Sequence, residues 1–248
     1  MNIRVYHSAG EAARAAASVV ANQLDHQPAS VLGLPTGRTS LGIYDELARL
    51  HTEGRVDFSR AHTFNVDEFV GLASNDRRSF CAFMETHLFS RINLPKRHIH
   101  FLNGRATDLA AACDLFEGEL TDAGGMDLLL LGIGANGHIG FNEPSAALHA
   151  RSHAATLTLE TRRANADLFG GRVTAVPREA LTMGVGTMLE ARAIVLVATG
   201  KAKARAVESM FTQRITTARP ASLLQLHKKV DVILDLAAAG KRFPDKVV

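Results

Sequence analysis

A short segment near the middle of the chain combines the residue types that acid–base chemistry needs. Asn136, His138 and Glu143 lie within eight residues of one another. Because imidazole titrates near neutral pH, it can both accept and return a proton. A carboxylate bound to its second ring nitrogen fixes the tautomer and stabilises the charged form. The segment is therefore suited to proton transfer at a hydroxyl or ring oxygen of a sugar, with His138 as the acid–base group.

The same segment has two other interpretations. Gly132, Gly134 and Gly137 match the G-x-G-x-x-G fingerprint of dinucleotide-binding proteins. That fingerprint needs a helix after its third glycine, whereas Pro144 follows only seven positions later. The pattern therefore disfavours a nucleotide site. A structural turn in which His138 simply satisfies a hydrogen bond is the second alternative, and the sequence leaves it open.

A second loop, residues 65–69, offers another acid–base candidate. It contains the adjacent acids Asp67 and Glu68. Side chains alternate in an extended segment, so these two carboxylates should point to opposite sides. One of them can then face a crevice while the other is solvated or accepts from a backbone donor. Two acids on a polar surface loop would look the same in the sequence.

Residues 35–40, PTGRTS, and two downstream lysines suggest an anion site. Backbone N–H groups at a helix start, with the Thr39 and Ser40 hydroxyls nearby, can cradle a phosphate. The loop lacks the Gly-Lys-Ser/Thr ending of a nucleotide P-loop, which favours a smaller phosphate ester. Lys201 and Lys203 would oppose a helix dipole by about 0.3–1 kcal/mol each, a cost that an anion between them would offset. A capped helix start and two solvated lysines are the alternatives.

Short apolar segments alternate with amphipathic ones. The patterns predict strands at residues 2–5, 29–34, 61–66, 126–132, 154–159, 193–199 and 230–235, and helices at residues 8–24, 39–51, 77–92, 108–121, 177–190 and 201–211. Runs that are apolar at every position, such as residues 128–131, are typical of parallel strands covered on both faces. The alternation predicts an α/β fold, a doubly wound, mostly parallel Rossmann-like sheet with helices on both faces, in a single domain over residues 1–248.

The predicted sheet would also bring the candidate site residues together. Ligands of doubly wound sheets bind outside the carboxyl ends of the strands. Four loops with unusual polar sequences follow predicted strands, at residues 35–39, 65–69, 134–138 and 200–203. We therefore expect all four on one side of the molecule.

Composition excludes several classes of protein. The chain has 28 basic and 25 acidic residues without a long run of either sign, so no nucleic-acid partner is indicated. No segment reaches 18 apolar residues and the N-terminus lacks the features of a signal peptide, so we expect no membrane association and a cytoplasmic location. Cys81 and Cys113, the only cysteines, are expected to be reduced and buried.

Five motifs together resemble those of the glucosamine-6-phosphate deaminase/isomerase family. They are residues 32–37 (LGLPTG), 63–72 (TFNVDEFVGL), 136–144 (NGHIGFNEP), 180–187 (ALTMGVGT) and 224–227 (LQLH). The resemblance covers nearly the whole chain, and the GHIGFNEP run favours deamination over the lactone hydrolysis of related enzymes. It implies conversion of glucosamine 6-phosphate and water to fructose 6-phosphate and ammonia. It also implies no metal or organic cofactor, and either a homo-oligomer or a smaller form.

The resemblance assigns roles by position. His138 would open the sugar ring with help from Asn136 and Glu143, and Asp67 would carry the proton between C2 and C1. Lys203 and the loop residues Thr36, Gly37, Arg38 and Thr39 would bind the phosphate. A lid is expected around residues 153–182.

Three departures from the family pattern stand out. Asn136 occupies a position where some members have aspartate, and Asp167 one where the lid usually offers arginine to the phosphate. Arg38 occupies a position that is commonly small. We hypothesise that Arg38 supplies the missing cation and pairs with Asp167 when the lid closes, so these two positions form the second departure. The third is at His153 and Ala155, which replace basic residues that bind an allosteric N-acetylated sugar phosphate in some members, and we expect no such activation. The alternatives to the implied activity are an epimeric substrate, such as galactosamine 6-phosphate, or a non-catalytic sugar-phosphate-binding regulator.

Overall fold

A seven-stranded parallel sheet forms the centre of the protein, and the computed structural model describes all residues, 1–248. The strands of the whole chain are β1 (Asn2–Tyr6), β2 (Val31–Leu34), β3 (His62–Asn65), β4 (Asp67–Phe69), β5 (Ile99–His100), β6 (Leu128–Leu131), β7 (His153–Thr156), β8 (Glu179–Thr182), β9 (Ile194–Ala198) and β10 (Val230–Asp235). The large sheet has the order β1-β10-β9-β6-β2-β3-β5, with every pair parallel. The predicted fold class is confirmed.

Helices cover both faces of this sheet. They are α1 (Ala9–His26), α2 (Arg38–Thr52), α3 (Phe80–His87), α4 (Leu109–Asp122), α5 (Leu159–Ala164), α6 (Val185–Leu189), α7 (Ala204–Met210) and α8 (Leu236–Ala239). Because side chains alternate along a strand, Leu128 and Leu130 join the core under α1 and α2, whereas Leu129 and Leu131 join the core under α4 and α7. The fully apolar strand thus serves two cores at once.

A second sheet of three short antiparallel strands, in the order β4-β8-β7, lies outside the sequence predictions. The predicted helix at residues 177–190 is wrong, because its first half is strand β8 and only α6 is helical. Gly184 separates the two, and a Cβ there would lie 2.3 Å from the carbonyl oxygen of Arg151. Of the strand predicted at residues 154–159, only the first half is correct. It lies in β7, which ends at Thr156 and belongs to this small sheet and not to the central one, and Leu159 begins α5.

Other boundaries differ by a turn. The predicted helix at residues 77–92 is α3 followed by a 3-10 turn at Phe89–Arg91, and residues Lys201–Lys203 form a 3-10 turn before α7. The start of α1 agrees with the predicted helix at residues 8–24, since the Ser8 hydroxyl accepts from the Glu11 N–H at 3.2 Å.

Cys81 and Cys113 are unpaired, but only Cys113 is fully buried. No helix combines the length and apolar character needed to cross a membrane.

Candidate active site

Four polar loops meet at the carboxyl edge of the central sheet. They follow β2, β3, β6 and β9, which are neighbours in the sheet and run parallel. The expectation that these loops share one side is confirmed. The chain order reverses between β2 and β6, which makes this edge the topological switch point where such sheets bind ligands.

The loop after β6 holds the His138 side chain by its own backbone. The Gly134 N–H donates to the His138 carbonyl at 2.9 Å, and the His138 N–H donates to Oδ1 of Asn136 at 3.2 Å. A Cβ at Gly134 would lie 2.3 Å from the imidazole ring, so only glycine leaves room for it. The glycines of this segment thus position a histidine, and no helix follows them to bind a nucleotide.

Glu143 lies against His138 and is held on both carboxylate oxygens. Its Oε2 accepts from Nδ2 of Asn136 at 2.7 Å and lies 3.5 Å from Nδ1 of His138. Its Oε1 accepts from the hydroxyls of Thr158, at 3.1 Å, and Thr161. Burial would raise the pKa of this carboxyl, but the hydrogen bonds from His138, Thr161 and Asn136 outweigh it and lower the pKa to about 2. Glu143 is therefore an anion whenever the protein is folded at ordinary pH.

The two acids of the β3–β4 region have separate environments. Glu68 accepts backbone N–H bonds from Phe69, Phe80 and Cys81 at 2.8–3.0 Å, the last two at the start of α3. Asp67 is 8% exposed, and its Oδ1 has no hydrogen-bond partner. Burial, with a contribution from the charge of Glu68, raises the pKa of Asp67 to about 8. Asp67 is thus the uncommitted carboxyl of the pair.

Strand β8 brings Asp67 and the His138 loop together. Thr182 is the register partner of Asp67, and its hydroxyl accepts from the N–H of Phe141 at 3.0 Å. One residue further, Met183 donates to the Val66 carbonyl and accepts from the Asn142 amide, both at 2.8 Å. The two acid–base candidates are therefore joined through a single strand that the sequence patterns did not predict.

The loop after β2 is an open helix start. Gly37 is the N-cap of α2 with a φ of 121°, a conformation that favours glycine, and no side chain caps the helix. The Ser40 hydroxyl donates to the Gly37 carbonyl at 2.7 Å and is buried, so it is not free for a ligand as the sequence suggested. Thr36 and Thr39 are the partly exposed hydroxyls of the loop.

Two cations, Arg38 and Lys203, lie at this helix start. Burial, followed by the nearby charge of Arg38, lowers the pKa of Lys203, while Glu160 of α5 acts in the opposite direction. Lys203 is thus close to the loop after β2, whereas Lys201 is exposed. No group of three or more histidine, cysteine or acidic side chains is arranged to hold a metal ion.

An ion pair joins the loop after β2 to the segment between β7 and β8. Arg38 donates to the carboxylate of Asp167, as hypothesised from the sequence. The two side chains are 80% and 74% exposed, so the pair itself contributes only about 0–1 kcal/mol. We call residues 157–178, which contain α5 and two 3-10 turns, the lid segment after the lid that the resemblance implies; that this segment opens and closes stays a prediction. It lies within the predicted lid range and touches the site at Arg38 and at Glu143.

The chain matches a protein family and several known relatives over most of its length. Residues 6–233 match the model of the glucosamine-6-phosphate isomerase/6-phosphogluconolactonase family, and the chain belongs to that family. It is 44% identical over 241 residues to a glucosamine-6-phosphate deaminase of Bacillus velezensis, covering 97% of this chain and 99% of the relative. It is 44% identical over 230 residues to the glucosamine-6-phosphate deaminase of Thermoanaerobacter sp. strain X514, covering 93% and 90%.

Solved structures give the same picture. A structure described as a monomeric glucosamine-6-phosphate deaminase superposes with a TM-score of 0.94 at 39% identity, covering 98% of this chain and all of the other. A 6-phosphogluconolactonase from Trypanosoma brucei superposes with a TM-score of 0.77 at 17% identity, covering 97% and 98%, which shows a shared fold. Deaminases thus resemble this chain in sequence as well as in fold.

Proposed function

We propose that the chain converts glucosamine 6-phosphate and water to fructose 6-phosphate and ammonia, using its own side chains for every proton transfer. The observation that carries the proposal is the placement of Asp67. Its carboxyl is buried and Oδ1 has no hydrogen-bond partner, and strand β8 joins it to the loop that carries the His138–Glu143 pair. An aldose–ketose rearrangement needs two kinds of proton transfer, one at oxygen to open the ring and one at carbon. The site offers one group for each.

His138 is assigned to ring opening. Its imidazole takes the proton from the C1 hydroxyl and returns it to the ring oxygen, so the C1–O5 bond breaks and a C1 aldehyde forms. Glu143, fixed as an anion, stabilises the imidazolium that exists between the two transfers. Asn136 holds Oε2 of Glu143 and the His138 backbone, so its amide performs the orienting task without a charge.

Asp67 is assigned to the carbon chemistry. Its carboxylate removes the C2 proton of the open-chain aldehyde while a proton passes from the C2 ammonium group to O1, which gives a neutral enolamine. Asp67 then returns the first proton to C1, which gives a C2 iminium. Water then adds at C2 and its two protons pass to the nitrogen, so the C–N bond breaks and ammonia leaves in its protonated form, with the keto sugar as the other product. The burial that raises the pKa of Asp67 to about 8 also makes its anion a stronger base.

Phosphate binding is assigned to the open helix start and the cations around it. The backbone N–H groups after Gly37, the hydroxyls of Thr36 and Thr39, and the Lys203 ammonium supply donors to a dianion. We propose that Arg38 adds a second cation, and that the phosphate competes with Asp167 for it.

Arg38→Ala tests this assignment. We expect KM for glucosamine 6-phosphate to rise about tenfold, about 1.4 kcal/mol of binding, with kcat changed much less. Asp167→Asn should have the opposite sign, because it removes the competitor of the phosphate. Arg60→Ala, an exposed arginine shortly before β3, is the matched control. Steady-state kinetics that show wild-type KM and kcat for Arg38→Ala would contradict the assignment.

An ammonia assay separates the proposed function from its alternatives. The protein is incubated in turn with glucosamine 6-phosphate and galactosamine 6-phosphate, and ammonia and ketose phosphate are measured, with binding followed by calorimetry. We expect ammonia from the gluco epimer. Release from the galacto epimer alone would indicate the epimeric enzyme, and binding of either sugar without ammonia would indicate a regulator. Sedimentation in the same buffer distinguishes a monomer from a homo-oligomer.

A further inference from the structure

Two hydroxyls of the lid segment reach into the His138–Glu143 pair. Thr158 is the N-cap of α5, where its Oγ1 accepts from the Thr161 N–H at 3.2 Å. The same hydroxyl lies 3.1 Å from Oε1 of Glu143. Thr161, which is 2% exposed, donates to the same carboxylate oxygen, and its Oγ1 lies 3.5 Å from Nδ1 of His138. The first turn of a lid helix is thus part of the acid–base cluster.

The two oxygens of the Glu143 carboxylate are held by two different parts of the protein. Its Oε2 is held by the loop after β6, through Asn136 and His138. Its Oε1 is held by the lid segment, through Thr158 and Thr161. Without α5 in place, Oε1 would lose both of these donors, and the carboxylate could rotate away from the imidazole.

We propose that Thr161 is a positioning residue that couples docking of α5 to the orientation of the Glu143 carboxylate, and thereby to proton transfer by His138. The inference rests on the proposed function, since it concerns the ring-opening step. The contact between Thr161 and Glu143 also affects the pKa of the Glu143 carboxyl. After the bond from His138, the bond from Thr161 is a principal cause of the lowered pKa of Glu143. Docking of the lid therefore favours the anion that supports an imidazolium.

The charged groups of α5 have other partners or are exposed. On α5, the Arg162 guanidinium donates to the carbonyls of Val173 and Val176, and Glu160 acts on Lys203. Arg163, the remaining charge of α5, is exposed. On the loop after β6, His138 is the titratable group that contacts Glu143. The hydroxyl of Thr161 is thus the lid group whose loss should change Glu143 most directly.

Replacement by valine removes the hydroxyl and keeps the shape of the side chain. For Thr161→Val we expect kcat for ammonia release to fall about tenfold with KM within about twofold of wild type, because positioning is lost and phosphate binding is not. Thr161→Ser restores a donor in the same place and should return kcat to within about threefold. The control is Thr121→Val, an exposed helical threonine whose hydroxyl donates to the Glu117 carbonyl at 2.9 Å and makes no contact with Glu143.

A second measurement does not depend on turnover. The carboxyl carbon of Glu143 is followed by NMR while pH is lowered, in wild type and in Thr161→Val. We expect the wild-type signal to stay at its ionised position, and the signal of the variant to begin to move at a higher pH, since a bond to the anion has been removed. Thr161→Ser should follow the wild type.

The outcomes separate the inference from the function on which it rests. Wild-type protein that releases no ammonia would overturn the proposed function, while the Glu143 titration would still report on Thr161. Active wild type together with an unchanged kcat and an unchanged titration in Thr161→Val would overturn the inference alone. Equal losses in the valine and serine variants, with folded protein by circular dichroism, would assign Thr161 to packing and overturn it too.

Discussion

Asp67→Asn is expected to lower kcat for ammonia release by about 10³-fold and to stabilise the folded protein at pH 8. The amide cannot take the C2 proton, and a positioned general base contributes about 10²–10⁴ in rate. For the same reason the wild-type kcat/KM should rise as pH approaches about 8, where the Asp67 carboxyl, with its raised pKa, ionises. A stopped assay from about pH 6 to about pH 9 checks both statements.

The stability effect follows from the same burial. An aspartate of the unfolded chain loses its proton near its ordinary pKa of about 4, whereas folded Asp67 keeps it up to about pH 8. Between these values the folded state binds more protons than the unfolded state, so the free energy of unfolding falls as pH rises. The amide introduced by Asp67→Asn would stay neutral throughout. At about 1.4 kcal/mol per pKa unit, the gain at pH 8 should be on the order of 5 kcal/mol, with little near pH 4.

Urea unfolding at several pH values measures that gain. Asp25→Asn, at an exposed position of α1, serves as the control and should leave both the stability and the kcat unchanged. Equal stability of Asp67→Asn and wild type at pH 8 would show that Asp67 ionises freely in the fold. Retention of more than a tenth of the wild-type kcat would remove it from the carbon chemistry.

Six of the seven strands of the central sheet could be predicted from the sequence because they carry their own signal, whereas the two-residue edge strand β5 could not. A run such as Leu128–Leu131 is apolar at every position, since neighbouring side chains enter different cores on the two faces. Each run is followed by polar and glycine residues, and parallel pairing then places those loops at one edge. His138, Glu143 and Lys203 could be proposed as site residues for this reason, before any contact was known.

The small sheet could not be predicted in the same way. Strand β4 is three residues, Asp67–Phe69, two of them acidic, and it exists because it pairs with β8 more than a hundred residues later. Such pairing depends on tertiary context more than on local preference. The loop pattern alone leaves Asp67 and Glu68 as equal candidates, and the family resemblance favours Asp67. The structure adds a physical difference, because the start of α3 donates to Glu68 and leaves Oδ1 of Asp67 without a partner.

Thr158 and Thr161 could not be predicted as site residues, because the sequence around them shows only local features that are common in proteins. Threonine is a common N-cap residue, and Thr158 caps α5, but the sequence patterns predicted a strand at residues 154–159. Nothing in the spacing of the two threonines indicates that both hydroxyls also meet a carboxylate 15 and 18 positions earlier. A buried hydroxyl in a lid helix becomes informative only after the fold has placed an anion beside it.

His138→Gln should lower kcat by about 10²–10³-fold and leave a distinctive residual reaction. Glutamine fills a similar space but cannot transfer protons, so ring opening loses its acid–base group. Sugar phosphates open slowly in water without help, and Asp67 can still act on the open chain that forms. At high concentrations of the variant, the velocity should therefore become independent of enzyme, because spontaneous opening of the substrate limits it.

This plateau in velocity distinguishes the role of His138 from that of Asp67 better than the size of the decrease in kcat does. Asp67→Asn keeps ring opening and loses the carbon step, so its small velocity should remain proportional to enzyme over the same range. The kcat of Glu143→Gln should lie between those of wild type and His138→Gln, since this variant keeps the imidazole and removes the anion that supports it. A strictly proportional velocity for His138→Gln would mean that opening is not the step it serves, and His138 would then have to act at the carbon stage beside Asp67.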